Sequence, residues 1–141
     1  MEPRFSSRDD GQVDVDLGPD LPLFTEAVND CVSSLPPRGA KGDGPSTYWV
    51  DVARVGLDRA VASGTDRPFT WGNITLLRLK KVRVEARYDF DDEDVPGQFL
   101  NVEEVRQVLD AWRVRIEESA SASTSPLPET YRRNPTPDRP V

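Results

Sequence analysis

The clearest periodic pattern in the sequence is the stretch Val82-Arg83-Val84-Glu85-Ala86-Arg87-Tyr88-Asp89-Phe90. Its even positions are apolar or aromatic, and its odd positions are charged. Because successive side chains of a β-strand point to opposite faces, this alternation predicts a strand with one buried face and one face in water. The even-numbered residues are expected on the buried face.

The apolar run just before this strand, at 74–79, has its paired leucines at odd positions, Leu77 and Leu79. A strand cannot change phase without turning its faces over. We therefore predict a turn near Lys80 that joins strands 74–79 and 82–90 in a hairpin. This turn contains no Gly or Asn, the residues that most readily adopt the positive φ of tight hairpin turns.

An acidic segment and a helix follow the predicted strand. Residues 91–94 are all acidic and precede Val95-Pro96-Gly97, a combination typical of a loop. Asn101 and Glu104 have the spacing of a capping box at a helix N-terminus. Apolar residues then recur at three- and four-residue steps, which predicts an amphipathic helix over 102–118. These apolar residues are Val102, Val105, Val108, Leu109, Trp112 and Ile116.

Two more helices are predicted upstream of the hairpin, over 21–34 and over 47–63. Pro22 lies in the first turn of the earlier helix, where proline is tolerated, and Gly64 is a typical stop for the later one. The later helix has two adjoining apolar stripes. One stripe contains Tyr48, Val52 and Val55, and the other contains Trp49, Ala53, Gly56 and Ala60. The predicted fold class is α+β, a small antiparallel sheet packed against two or three helices.

The length of 141 residues fits one domain, which we predict over 20–118. Residues 1–19 are polar and are expected to form a flexible N-terminal segment. The alternation within 13–17 leaves a short edge strand as the alternative. Residues 119–141 are rich in Ser and Pro and are expected to form a disordered tail.

The composition excludes several classes of function. The net charge of −7 argues against binding to nucleic acid by electrostatics alone, and no segment approaches the roughly 20 apolar residues that span a membrane. One Cys and no His allow neither an internal disulfide nor a zinc cluster, and no cofactor is predicted. No signal peptide is visible, so a cytoplasmic protein is expected, and the excess of Arg over Lys suggests a bacterial one.

Catalytic side-chain sets are poorly represented. The absence of His removes the commonest general base, and Cys31 lies on the apolar face of a predicted helix, as a small core residue would. We therefore favour a protein that is not an enzyme. The alternative is a small-ligand module or an enzyme built on carboxylates and arginines, with Glu85, Arg87 or Asp89 near a pocket.

The acidic loop, residues 89–97, is the candidate binding site. Its carboxylates predict contact with a protein that carries a basic surface. Trp71, next to Gly72 in a predicted loop, is the tryptophan expected to be partly exposed and is the candidate aromatic contact. The predicted contact residues are Asp89, Asp91, Asp92, Glu93, Asp94 and Trp71. Together with the small size, they suggest an inhibitor or an immunity-type factor. The oligomeric state is not predicted.

A calcium-binding loop over 92–103 is a further alternative. Acids occupy its first, third and twelfth positions and a glycine its sixth, which is the spacing of a known calcium loop. Pro96 at the fifth position offers no side-chain oxygen, and a strand rather than a helix is predicted before the loop. No metal site is therefore assigned.

One basic run accompanies the hairpin, and it contains Arg78, Lys80, Lys81, Arg83 and Arg87. Glu85 and Asp89 interrupt it, and it lacks the aromatic platforms that single-stranded nucleic acid would need. We expect a solvent face with cross-strand ion pairs rather than a nucleic-acid site.

Overall fold

The computed structural model describes residues 1–42 and 44–124, with the side chains of 122–124 excepted. These residues form three helices and two antiparallel sheets, which confirms the α+β fold class. The elements are β1 (Arg4–Ser7), β2 (Val13–Asp16), α1 (Pro22–Cys31), α2 (Tyr48–Ser63), β3 (Pro68–Trp71), β4 (Thr75–Lys80), β5 (Arg83–Tyr88), β6 (Gln98–Asn101) and α3 (Val102–Thr124). One sheet pairs β1 with β2, and the other has the order β3-β4-β5-β6.

The predicted hairpin is confirmed as β4 and β5, with Lys80 paired to Arg83 across a two-residue turn. Lys81 takes a φ of 59°, so the turn uses a residue that pays a steric penalty for this conformation. The predicted buried face is wrong at both ends. Val82 is 80% exposed in the turn and Phe90 is 68% exposed beyond the strand, because neither residue belongs to the paired part of β5.

The inner face of the four-stranded sheet packs against α1 and α3. Leu77 of β4 pairs with Ala86 of β5, and both are buried with Val84. The predicted stripe of α3 is confirmed, because Val105, Val108, Leu109, Trp112 and Ile116 are all buried. The predicted capping box is also confirmed. The Glu104 amide donates to Asn101 Oδ1 at 2.7 Å, and the Asn101 amide donates to Glu104 Oε1 at 3.1 Å.

The N-terminal segment is part of the folded core, which corrects the expectation of a flexible segment over 1–19. Val13, Val15 and Leu17 are buried, so the alternative of a strand is the one observed. Three side chains accept hydrogen bonds from backbone amides in β2 and in Leu17 just after it. Two of these side chains belong to α1, and the third follows α1 in the chain. The acceptors are Ser34 for the Val13 amide (2.8 Å), Asn29 for the Val15 amide (3.2 Å) and Thr25 for the Leu17 amide (2.9 Å). Sequence periodicity cannot reveal these long-range bonds.

Helix α2 buries Ala53 and Ala60 of the second predicted stripe together with Val50 and Leu57 beside it. Tyr48, Val52 and Val55 remain exposed. The end of α2 at Gly64 is confirmed, with a φ of 69°.

Two other boundaries differ from the prediction. Helix α1 ends at Cys31, before the predicted end at 34. Helix α3 continues to Thr124, so residues 119–124 of the predicted tail are helical. The remainder of that tail, 125–141, lies outside the described residues.

Candidate interaction surface

Three charged residues on the outer face of the four-stranded sheet contact the acidic loop, and two of them are buried. Arg78 pairs with Glu85 in the register of β4 and β5, and Arg87 follows Glu85 on the same face. Glu85 is 1% exposed and Arg87 is 3% exposed. The prediction that this face is in water is therefore wrong for both residues. The expected cross-strand ion pair does form, between Arg78 and Glu85 at 2.8 Å.

Arg87 holds the backbone of the acidic loop. Its guanidinium donates to the carbonyl oxygens of Asp91 (3.1 Å), Asp92 (2.6 Å) and Val95 (3.2 Å). Because these acceptors are spread over five residues of the loop, a single side chain fixes the course of its chain. Bonds to a charged donor are stronger than bonds between neutral groups, so this anchoring is effective even near the surface.

Glu85 fixes the far end of the same loop. Its carboxylate accepts from the Gly97 amide at 3.1 Å and from Arg78 Nε at 2.8 Å. A Cβ on Gly97 would lie 2.2 Å from the Ala86 carbonyl oxygen, so only glycine fits at this point. The loop is thus clamped against β5 by contacts at both its middle and its end.

Glu93 differs from the other acids of the loop because its carboxylate is already paired with Arg78. Arg78 donates to both of its carboxylate oxygens, at 2.9 and 3.0 Å, and these bonds lower the pKa of Glu93. Within the described chain, the remaining predicted acids make no hydrogen bond or ion pair through their carboxylates. They are Asp89, Asp91, Asp92 and Asp94.

Trp71 lies on the same outer face as the acidic loop. It pairs with Leu76 of β4, and Leu76 pairs with Arg87 of β5, so the three side chains project from one face. Neighbouring strands are about 4.8 Å apart, which puts Trp71 roughly 10 Å across the sheet from Arg87. Trp71 is 60% exposed, as predicted. The predicted contact residues therefore share one side of the molecule.

Phe90 is exposed beyond the end of β5, although the sequence suggested a buried role for it, and its contacts lie on the α1 side of the sheet. Its ring stacks on Tyr88 with centroids 5.0 Å apart, and the Tyr88 hydroxyl donates to Glu26 at 2.6 Å. An aromatic ring after the last position of a strand looks the same in sequence whether it packs inward or outward. Because β5 ends at Tyr88, Phe90 lies outside the paired residues and is exposed.

Asp30 orders the turn between β3 and β4. Its carboxylate accepts from the amides of Asn73, Ile74 and Thr75 and from the Thr75 hydroxyl, over distances of 2.6 to 3.1 Å. Burial raises the pKa of Asp30, but the hydrogen bonds led by Thr75 outweigh it and the net pKa is lowered. The Asp89 amide donates to the Ile74 carbonyl at 2.9 Å, which links this turn to the acidic loop.

Cys31 does not have the character of a nucleophile. Burial raises its pKa to about 11, against a hydrogen bond with Thr75 that acts in the opposite direction. Reactive cysteines have a lowered pKa and an accessible sulfur. This geometry agrees with the predicted role of a small core residue.

A shallow pocket of about 260 Å³ opens where the sheet edge meets the helices, and we call it the edge pocket. Its walls come from the end of α1, the start of α2 and the turn after β3. The lining residues are Asp30, Cys31, Val32, Ser33, Trp49, Trp71, Gly72 and Asn73. Sequence reasoning missed this site, because its parts come from three separated segments.

A second concavity, of about 440 Å³, runs between α2 and β3. The exposed stripe of Tyr48, Val52 and Val55 forms much of its wall, with Phe69 opposite. The sequence did indicate the apolar stripe. It could not show which of the two stripes on α2 would face the core.

The arrangement does not favour the alternatives of a calcium loop or a carboxylate enzyme. Residues 98–101 form strand β6, so the segment 92–103 does not wrap around a central point. Among the described residues, no three Asp, Glu or Cys side chains are grouped closely enough to hold a metal ion. Glu85 and Arg87, expected near a pocket, are instead engaged with the loop above them.

Comparison with protein-family models, curated proteins and solved structures found no match to this chain. None of the helices over the described residues combines the length and apolar character needed to cross a bilayer. The proposals below therefore rest on the geometry of the molecule itself.

Proposed function

We propose that the protein acts by binding another protein that carries a basic surface, through the acidic loop and Trp71, as an inhibitor or immunity-type factor. The observation that carries this proposal is the buried Arg87, whose guanidinium bonds to three backbone carbonyls of the loop. A buried charge is costly unless it is well paired. Here the pairing orders a surface loop whose free carboxylates have no role in the fold.

A loop ordered before binding loses less conformational entropy when a partner arrives. Asp91, Asp92 and Asp94 are presented on a backbone fixed by Arg87 and Glu85. Clustered carboxylates also attract a basic partner over distance, which raises the association rate more than the final affinity.

An exposed aromatic ring, that of Trp71, is also part of this surface. Trp71 is more than half exposed on the face of the sheet that carries the loop. Aromatic residues are enriched at the centres of protein interfaces, where they supply most of the binding energy. The free carboxylates would attract a basic partner, and the exposed ring of Trp71 would contribute binding energy, so both features support a protein-binding role.

The test uses affinity capture from the source lysate with three forms of the protein. These are the wild type, the loop variant D91N/D92N/D94N and the control variant E2Q/D9N/D66N. Glu2, Asp9 and Asp66 are exposed and make no hydrogen bond or ion pair within the described chain, so the control removes the same charge elsewhere. We expect one basic protein to be retained by the wild type and the control and lost by the loop variant.

The captured partner then allows a kinetic measurement. At low salt we expect its association rate to fall by about 10-fold or more in the loop variant, because electrostatic steering contributes factors of at least this size. The melting temperature should stay within a few degrees of the wild type. Equal association rates for the loop variant and the control would refute the proposal.

A further inference from the structure

We propose that the edge pocket receives one guanidinium or ammonium group from a basic side chain of the protein partner. This inference rests on the proposed function, and it names the chemical group that the site would recognise. The pocket adjoins the acidic loop through Trp71, which lines the pocket and lies on the loop's face of the sheet. Its volume of about 260 Å³ is below the roughly 300–1,000 Å³ of sites for drug-sized ligands and suits a single head group.

The charge of the pocket favours a cation. Its lining contains the carboxylate of Asp30 and neither Lys nor Arg. Residues at the C-terminal end of α1 line the same space, and a helix C-terminus carries a partial negative charge. The last turn of α1 holds no basic residue that would neutralise it. Asp89 adds negative charge nearby, and its field reaches Cys31 in the pocket wall.

Asp30 retains capacity for a further hydrogen bond. Its Oδ2 accepts three bonds from Ile74 and Thr75, whereas its Oδ1 accepts only the Asn73 amide within the described chain. A carboxylate oxygen has two lone pairs, so Oδ1 can accept one more donor. A carboxylate would ordinarily be unfavourable at the C-terminal end of a helix. A cation from outside would remove that disadvantage.

Two tryptophans supply the aromatic surface that cations prefer. Trp49 is 37% exposed, and its ring is held by a T-shaped contact with Tyr48 at 4.8 Å. Trp71 also lines the pocket. Guanidinium and ammonium groups bind to the faces of indole rings, and tryptophan is the strongest of the aromatic residues in this role.

The pocket is shaped before any ligand arrives. A Cβ on Gly72 would lie 2.2 Å from Asp30 Oδ2 and 2.7 Å from the Asp30 carbonyl carbon. Gly72 therefore packs directly against Asp30, and there is no room for a larger residue at this point. Ser33, which also lines the pocket, has a φ of 61°, a conformation that costs energy for a residue with a side chain. Such fixed, strained walls are typical of recognition sites.

The test titrates the isolated protein with four probes and follows the NMR signals of the Gly72 and Asn73 amides and of the Trp49 and Trp71 indoles. N-acetylarginine amide and N-acetyllysine amide represent a partner side chain, and choline represents a small free ammonium compound. The fourth probe, 3,3-dimethylbutan-1-ol, is the uncharged isostere of choline. We expect saturable shifts of these four residues with the arginine or lysine probe and none with the uncharged alcohol.

Variants identify the contacts. W49L and W71L should each weaken binding of the arginine probe by about 2- to 30-fold, the range of a cation–π contact. The control V61A removes an exposed apolar side chain of α2 outside the edge pocket and should leave binding unchanged. Equal weakening by V61A would overturn the assignment of the site.

Three results would overturn the inference. They are equal binding of the uncharged alcohol, no saturable shift with any cation, and saturation by choline but by neither amino-acid probe. Failure here is distinguishable from failure of the proposed function. A partner lost by D91N/D92N/D94N but retained by W49L would refute the pocket alone, because Trp49 lines the pocket and is not part of the proposed loop surface. If the cation probes bind the pocket but the partner binds D91N/D92N/D94N as well as it binds the wild type, the role of the loop alone is refuted.

Discussion

The two faces of the four-stranded sheet are buried by different means. The inner face is covered by apolar side chains of α1 and α3, with Trp112 fully buried among them. The outer face is partly covered by a nine-residue acidic loop, held by Arg78, Glu85 and Arg87. Apolar burial is non-directional and stabilises the whole domain, whereas a polar network acts only where its geometry is satisfied. The inner face therefore determines folding, and the outer face determines the shape of one surface.

The largest effect is expected from W112A on the inner face. Replacing a fully buried tryptophan with alanine leaves a cavity and costs about 4 kcal/mol of unfolding free energy. It also removes the donor to the Val13 carbonyl at 2.9 Å, so β2 should loosen first. Chemical denaturation measures the loss, and hydrogen exchange of the Val13 and Val15 amides localises it. As the matched control, W71A should change stability by less than about 0.5 kcal/mol, as surface substitutions do.

A smaller but more local effect is expected from R87M on the outer face. This change removes the buried ion pair between Arg87 and Glu85 (3.6 Å), leaves Arg78 as the cationic partner of Glu85, and removes the donor to three loop carbonyls. We expect a loss of about 3 kcal/mol, since removing one member of a buried ion pair is strongly destabilising. The amides of Val95 and Gly97 should exchange much faster than in the wild type. Unchanged protection of both amides would mean that Arg87 does not order the loop.

The double variant E85L/R87M separates the effect of the buried charges on stability from their effect on the order of the loop. Replacing both buried charges with apolar residues should recover much of the lost stability, because the desolvation cost disappears with the charges. The loop should nevertheless stay mobile in hydrogen exchange, since the bonds to its backbone are still absent. Recovery of stability without recovery of order would separate the two roles of the outer face.

The smallest effect is expected from D30N at the turn between β3 and β4. Asparagine keeps one acceptor but turns an amide donor toward backbone amides, at a cost of about 1–2 kcal/mol for a half-buried carboxylate. The pKa of Asp30 is lowered in the folded protein from an ordinary value of 3.8. Its contribution is therefore complete above that value and is lost as the pH falls through the folded pKa. Urea denaturation should show a constant difference between wild type and D30N from pH 7 to about 5 and a shrinking one below 3.8. A difference that persists undiminished at pH 2 would contradict this account.

Local patterns predicted the elements well and their surroundings poorly. The capping box at Asn101 and the apolar stripe of α3 were predicted correctly, because both depend on residues three or four apart. The exposure of Glu85 and Arg87 was predicted wrongly. Alternation shows that two faces differ, but it does not show that a later loop will fold back over the polar one.

The same distinction applies to the N-terminal strand and to the candidate site. Val13 and Val15 alternate with acids as any short strand would, and the acceptors that hold β2 come from Asn29 and other residues far along the chain. The acids of the loop and the exposure of Trp71 were predicted from the sequence. The edge pocket was not, because it exists only where α1, α2 and the turn after β3 meet.

The sequence by itself determined the α+β class, the hairpin, the three helices and the concentration of acids after β5, since periodicity and capping are properties of neighbouring residues. The tertiary structure alone decided which polar groups are buried and which carboxylates remain free. Those outcomes depend on contacts such as Arg78 with Glu93 and Arg87 with the Val95 carbonyl. Such contacts form only once the loop has folded back onto the sheet, because hydrogen bonds need both partners at fixed distance and angle.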